Sequence, residues 1–222
     1  MIDLKKDKEM QVLYRELRKA VKNAGEDMDN LSVFTTLVGK DYPIEPGKGI
    51  LYYGRATNGW NDDNHDDLDK ILYEQTKRPF FNLLYYFAWE FYKDSWNNKV
   101  AWSNICKIAP EEYGNPSGSL WSAQKEILPA IIQREVELLS PQIIVLVTGN
   151  TAVTYNDPWH SPFFKAFPDL KEIKSIKWAE SRGKECTATL FTNGKLRVLL
   201  TDRPESRPIE PHAKALKDLI EE

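Results

Sequence analysis

Three short stretches put chemistry-bearing side chains where the chain leaves an apolar run. They are Gly54-Arg55-Ala56-Thr57-Asn58-Gly59-Trp60, Ser103-Asn104-Ile105-Cys106-Lys107-Ile108-Ala109-Pro110 and Thr201-Asp202-Arg203-Pro204-Glu205-Ser206-Arg207. The carboxamide of Asn104 offers a donor and an acceptor side by side, which suits an amide-like edge of a ligand. An Asn capping the turn after a strand would look the same. The amide of Asn58 can orient a water molecule but cannot take its proton. The guanidinium groups of Arg55 and Arg203 stay charged at every accessible pH, so they can hold an anion but cannot shuttle a proton. Of the three histidines, His65 and His160 are expected at the surface. His212 falls on the last helix, where packing is the first expectation and catalysis the second. No His/Cys/Asp spacing suggests a metal, and no cofactor is implied. Cys106 and Cys186 form no CxxC pair, which argues against an iron–sulfur cluster or disulfide framework and points to a reducing, cytoplasmic setting.

Those stretches need elements to hold them. Residues 50–53, 100–105 and 142–148 are apolar runs of strand length. Residues 186–192 and 195–201 read as a hairpin joined by Asn193-Gly194, since both residues tolerate positive φ. Helical spacing marks residues 4–24 (with Val12, Leu13, Leu17, Ala20, Val21 and Ala24 on one face), 66–95 with a break near Pro79, 122–139 and 211–220. Alternating strands and helices predict an α/β fold: three α/β/α layers around a central, mostly parallel four-stranded sheet, plus an antiparallel hairpin near Asn193-Gly194. In such a sheet ligands bind at the carboxyl ends of the strands, where the three polar stretches fall.

The 222 residues suit one domain, with residues 1–48 as an N-terminal helix and loop packed on it. An ordinary composition, 41% hydrophobic and 28% charged, excludes wholesale disorder. No run of about 18 apolar residues predicts a membrane span. The net charge of −3 excludes a globally basic nucleic-acid binder. Charge is uneven, however: residues 61–69 are acidic, whereas residues 171–207 carry nine Lys/Arg against five Asp/Glu, a flank that would suit a phosphate backbone.

The order of these features resembles the uracil-DNA glycosylase superfamily. The resemblance rests on the Gly-led loop at Gly54, the Asn104-x-x-Lys107-x-x-Pro110 run, a helix feeding the Ile/Val-rich strand that ends at Gly149, and the Pro204-x-Ser206 turn. It spans roughly Gly49 to Ile220. It implies a glycosylase-like domain that extrudes a damaged or deaminated base from DNA and hydrolyses its N-glycosidic bond without a cofactor. Carried over, Asn58 would orient water, Thr57 and Asn104 would bind the base, Phe80 or Phe81 would stack on it, and Arg203, Arg55, Ser206 and Arg207 would face the anion or the DNA backbone. The pattern departs from the superfamily at two places. Arg55 and Ala56 stand where an acidic or amide group is common, and Arg203 replaces the His of the last motif. These departures leave two alternatives: a nucleic-acid-binding protein of the same fold without turnover, or a hydrolase or transferase acting on a free nucleotide. The expected partner is damaged or single-stranded DNA, with no membrane and a monomer as the default state.

Overall fold

The structure is a computed structural model that describes residues 2–43, 45–57, 59, 68–112, 114–149, 159–181 and 183–221. Nine strands occur among them: β1 (Leu31–Val33), β2 (Leu37–Val38), β3 (Ile50–Gly54), β4 (Val100–Asn104), β5 (Ile108–Pro110), β6 (Ile143–Leu146), β7 (Lys171–Ser181), β8 (Lys184–Thr192) and β9 (Arg197–Thr201). The helices are α1 (Lys8–Asn23), α2 (Leu68–Gln75), α3 (Pro79–Tyr92), α4 (Gly118–Gln124), α5 (Leu128–Leu139), α6 (Ser161–Ala166) and α7 (Ile209–Glu221).

One seven-stranded sheet organises the chain, in the order β2-β4-β3-β6-β9-β8-β7, and β1 pairs separately with β5. Pairings β4/β3, β3/β6 and β6/β9 are parallel, whereas β2/β4, β9/β8 and β8/β7 are antiparallel. The fold is therefore α/β with a mixed sheet, wider and less parallel than the four-stranded sheet expected from the sequence. The difference comes from β2, whose two residues are too short to carry a periodic signal, and from the long β7.

Strand alternation explains the core. Leu51 and Tyr53 of β3 pack with Tyr14 and Leu17 of α1 and Ile131 and Ile132 of α5. Ile50 and Tyr52 face the other way, towards Leu83 and Phe87 of α3 and Leu216 and Leu219 of α7. Successive side chains of a strand point to opposite faces, so each face of the sheet acquires its own apolar layer.

Local details revise several expectations. The N-terminal helix starts later than residue 4, capped by Asp7, whose carboxylate accepts from the Met10 N–H at 2.9 Å. It buries Met10, Tyr14, Leu17 and Val21 and leaves Val12 41% exposed, a rotation from the face first expected. Residues 122–139 are not one helix: α4 ends at Gln124 and α5 begins at Leu128, where Pro129 occupies the first turn and has no N–H to continue a ladder. The hairpin near Asn193 is present, but its loop runs from 193 to 196, with Thr192 paired to Arg197. There the Asn193 side chain accepts from the N–H groups of Lys195 and Leu196, while Gly194 takes φ +83°. Among the described residues, no helix is long and apolar enough to cross a membrane.

Candidate ligand pocket at the strand ends

A cavity of about 440 Å³ opens at the carboxyl ends of the parallel strands. That volume falls in the range of small-molecule sites. Gly54 ends β3 and the loop through Thr57 follows it, Asn104 ends β4, Val147 follows β6, and Arg203 and Glu205 follow β9; all line the cavity. The first turn of α3, from Arg78 to Phe81, forms another wall. Backbone hydrogen bonds continue past the strand ends and hold these loops together: Ile105 N–H to the Gly54 carbonyl at 2.9 Å, and Cys106 N–H to the Arg55 carbonyl at 2.8 Å.

The interior of this wall is built around Asn104, only 2% exposed. Its Nδ2 is buried and has no hydrogen-bond partner among the described residues, and the Thr57 hydroxyl shares that condition. A buried donor without a partner costs about 1–3 kcal/mol, so it marks a position that a ligand can improve. Gly54 makes the arrangement possible. A Cβ there would lie 2.5 Å from Asn104 Oδ1 and 3.2 Å from Phe80 Cζ, so any side chain would displace both. Phe80 is half-buried, and its ring lies 4.8 Å from that of Tyr52 and 5.1 Å from that of Phe81. The Tyr52 hydroxyl donates to the Phe80 carbonyl at 3.0 Å, which fastens α3 to β3.

The cationic residues divide. Arg55 lines the cavity, but its Nε donates to the Thr148 carbonyl at 2.6 Å and its guanidinium lies 5.2 Å from the Trp159 ring centre. Gly149 leaves room for it, since a Cβ there would sit 2.7 Å from Arg55 Nη2. Arg203 lines the cavity while paired to Glu205 at 2.6 Å. Ser206 and Arg207 do not line it. Ser206 is exposed with φ +60°, and Arg207 donates to the Arg203 carbonyl, bracing the turn. Asn58 lies outside the described residues, as do Trp60, His65 and most of the acidic stretch 61–69.

The remaining histidines are structural. His212 is fully buried, stacked on Trp178 with centroids 3.9 Å apart, and its Nε2 lies 2.6 Å from the Thr201 hydroxyl. Burial first, and then the Arg207 charge, push its pKa down to about 3, so the ring is neutral. His160, expected at the surface, is instead fully buried against Phe164. No cluster of His, Cys, Asp or Glu suited to a metal occurs among the described residues. Both cysteines are free and buried.

Sequence reasoning missed a second layer beneath the pocket. Lys107 and Glu135 are both fully buried and pair at 2.7 Å and 2.9 Å through the two carboxylate oxygens. Lys107 Nζ also donates to the Ser103 hydroxyl at 2.7 Å, and the Tyr53 hydroxyl donates to Glu135 Oε2 at 2.8 Å. Thr36 Oγ1 lies 2.5 Å from Glu135 Oε1. The group brackets Asn104 between Ser103 and Lys107 and anchors its turn to α5. A signal was available: Glu135 interrupts the apolar stripe Ile131, Ile132, Val136, Leu139, and a carboxylate on a core face needs a buried partner. Arg78, Trp102, Asn115 and Glu205 were likewise missed as cavity residues. No protein-family profile and no curated protein matches the chain.

Proposed function

We propose that this chain takes a nucleobase into the Gly54–Asn104 cavity and hydrolyses its N-glycosidic bond, as a divergent protein of the uracil-DNA glycosylase type. The observation that carries the reading is the buried, unpartnered carboxamide N–H of Asn104 set beside the half-buried Phe80 ring at the strand ends. A carboxamide donor and acceptor match the O4/N3–H edge of uracil, and an aromatic face beside it gives the base something to stack on. The four adjacent parallel strands in the order β4-β3-β6-β9 suit that type of domain. Arg203 lines the same cavity, and in this reading its guanidinium stabilises the negative charge that develops on the departing base. The first loop supplies no carboxylate at Arg55 or Ala56. Glu205 is the carboxylate that lines the cavity among the described residues, and in this reading it accepts the proton of the attacking water.

The test is excision from single- and double-stranded oligonucleotides carrying uracil, hypoxanthine or xanthine. Cleavage of at least one is expected, with Glu205→Gln lowering turnover while leaving binding in place. No cleavage of any substrate at high enzyme concentration rejects hydrolysis. A second reading, base binding without turnover, is favoured by one observation: Arg203 and Glu205 satisfy each other at 2.6 Å. It calls for salt-sensitive binding to damaged or single-stranded DNA with no product.

A further inference from the structure

Arg55 is held in a way that suits a flat surface better than a salt bridge. It follows β3 directly, half-buried, and lines the cavity. Its Nε donates to the Thr148 carbonyl at 2.6 Å. An Nε–H bond is made in the plane of the guanidinium, so it fixes the group's orientation and leaves its faces open. Gly149 closes on Nη2, where a Cβ would stand only 2.7 Å away, and its φ of +102° independently calls for glycine. The guanidinium lies over the Trp159 ring, 5.2 Å from the centroid and within cation–π range. Trp159 is itself half-buried and meets the half-buried Trp121 of α4, with centroids 5.6 Å apart. Residues from three distant parts of the chain thus form one stack that reaches the cavity at Arg55. A guanidinium kept for an anion would turn its donors to the ligand. This one gives its Nε to the backbone and a face to an indole.

We propose that the face of Arg55 turned away from Trp159 is a stacking surface, and that the ring held on Asn104 rests against it in addition to Phe80. The inference rests on the base-recognition reading above and adds a residue that selects flat, electron-rich rings over other amide-bearing ligands. Nucleobases stack on guanidinium planes as they do on aromatic rings, because every base has a π face. Trp159 backs the guanidinium and holds it flat. Lysine would keep the charge at this position but has no plane to offer. The residue that departs from the superfamily pattern thereby acquires a binding role, with no part in moving a proton.

The proposal is tested by calorimetric titration of the full chain with 2′-deoxyuridine, which is uncharged, and with 2′-deoxyuridine 5′-monophosphate. Stacking acts on the base, so Arg55→Lys should weaken both ligands by the same factor, about tenfold. Trp159→Leu should weaken both in the same direction by a smaller factor, and circular dichroism should show both variants folded. If Arg55→Lys does not fold, the Trp159→Leu result decides. Nucleoside affinity unchanged in the folded variants overturns the stack, and a loss confined to the monophosphate makes Arg55 an anion contact instead. Asn104→Ala separates this failure from that of the base reading. Weakening by Asn104→Ala without weakening by Arg55→Lys or Trp159→Leu keeps the base reading and removes the stack. Weakening by Arg55→Lys with none by Asn104→Ala keeps the stack and removes recognition of the base edge. Binding of neither ligand to the unaltered chain overturns both.

Discussion

At the scale of single residues, the ion pair beneath the pocket carries the largest expected effect. Lys107 and Glu135 have both left water entirely, and the hydroxyls of Thr36, Tyr53 and Ser103 close around them. Removing one partner leaves the other charge buried and uncompensated, so Glu135→Ala should lower unfolding free energy by about 3–5 kcal/mol in urea denaturation. Replacing both, as Lys107→Met with Glu135→Leu, should cost far less than the single change, because an apolar pair needs no solvation. His212 gives a residue-scale prediction with a sign. Its pKa in the folded chain, about 3, lies below the unfolded value of about 6.5. Above the unfolded value the ring is neutral in both states and its burial costs no protonation energy. As pH falls from there towards 3, only the unfolded chain takes up the proton, so stability drops by up to about 1.4 kcal/mol per pH unit. Urea titrations at pH 7, 6, 5 and 4 should show that loss, and His212→Gln should flatten it by about one proton. An unchanged slope in the variant would show that other groups govern acid sensitivity.

At the scale of elements, the pocket depends on how closely β3 and β4 approach at their ends. Gly54↔Asn104 is a paired position in the sheet, and the Asn104 side chain folds back over the glycine. Gly54→Ala should therefore abolish nucleoside binding in calorimetry by moving Asn104 and Phe80 together. The obstacle to a Cβ is side chain rather than backbone, so the variant should still fold, which its circular dichroism would establish. Much of this was legible beforehand. A buried strand followed by Gly, Asn or a polar turn predicts a strand-end site, and Thr57, Phe80, Phe81, Asn104 and Arg203 do line one cavity. Arg78 and Glu205 were not legible as cavity residues. Their side chains reach it because α3 is fastened through Tyr52 and the β9 turn is braced by Arg207, and both are tertiary facts. Strand β7 escaped for a different reason. Its register shifts between Glu172 and Lys174 and between Lys177 and Ala179 break the two-residue alternation by which a strand is read.

At the scale of the whole molecule, the helices divide between two apolar layers, and the cavity lies where neither layer fills the strand ends. Ligand contacts therefore add to a scaffold that is already packed, and a bound nucleotide should raise thermal stability in proportion to the logarithm of its concentration. The sheet ends on one side in the two residues of β2 and on the other in the eleven of β7. A long outer strand is a template on which another chain can pair, and this one exposes Ile173. Lys171, Lys174 and Lys177 stand along it, and its two bulges bend it away from flatness. Those lysines and bulges guard the edge, so replacing all three lysines with neutral β-formers should promote pairing of copies along β7, read as a concentration-dependent rise in light scattering.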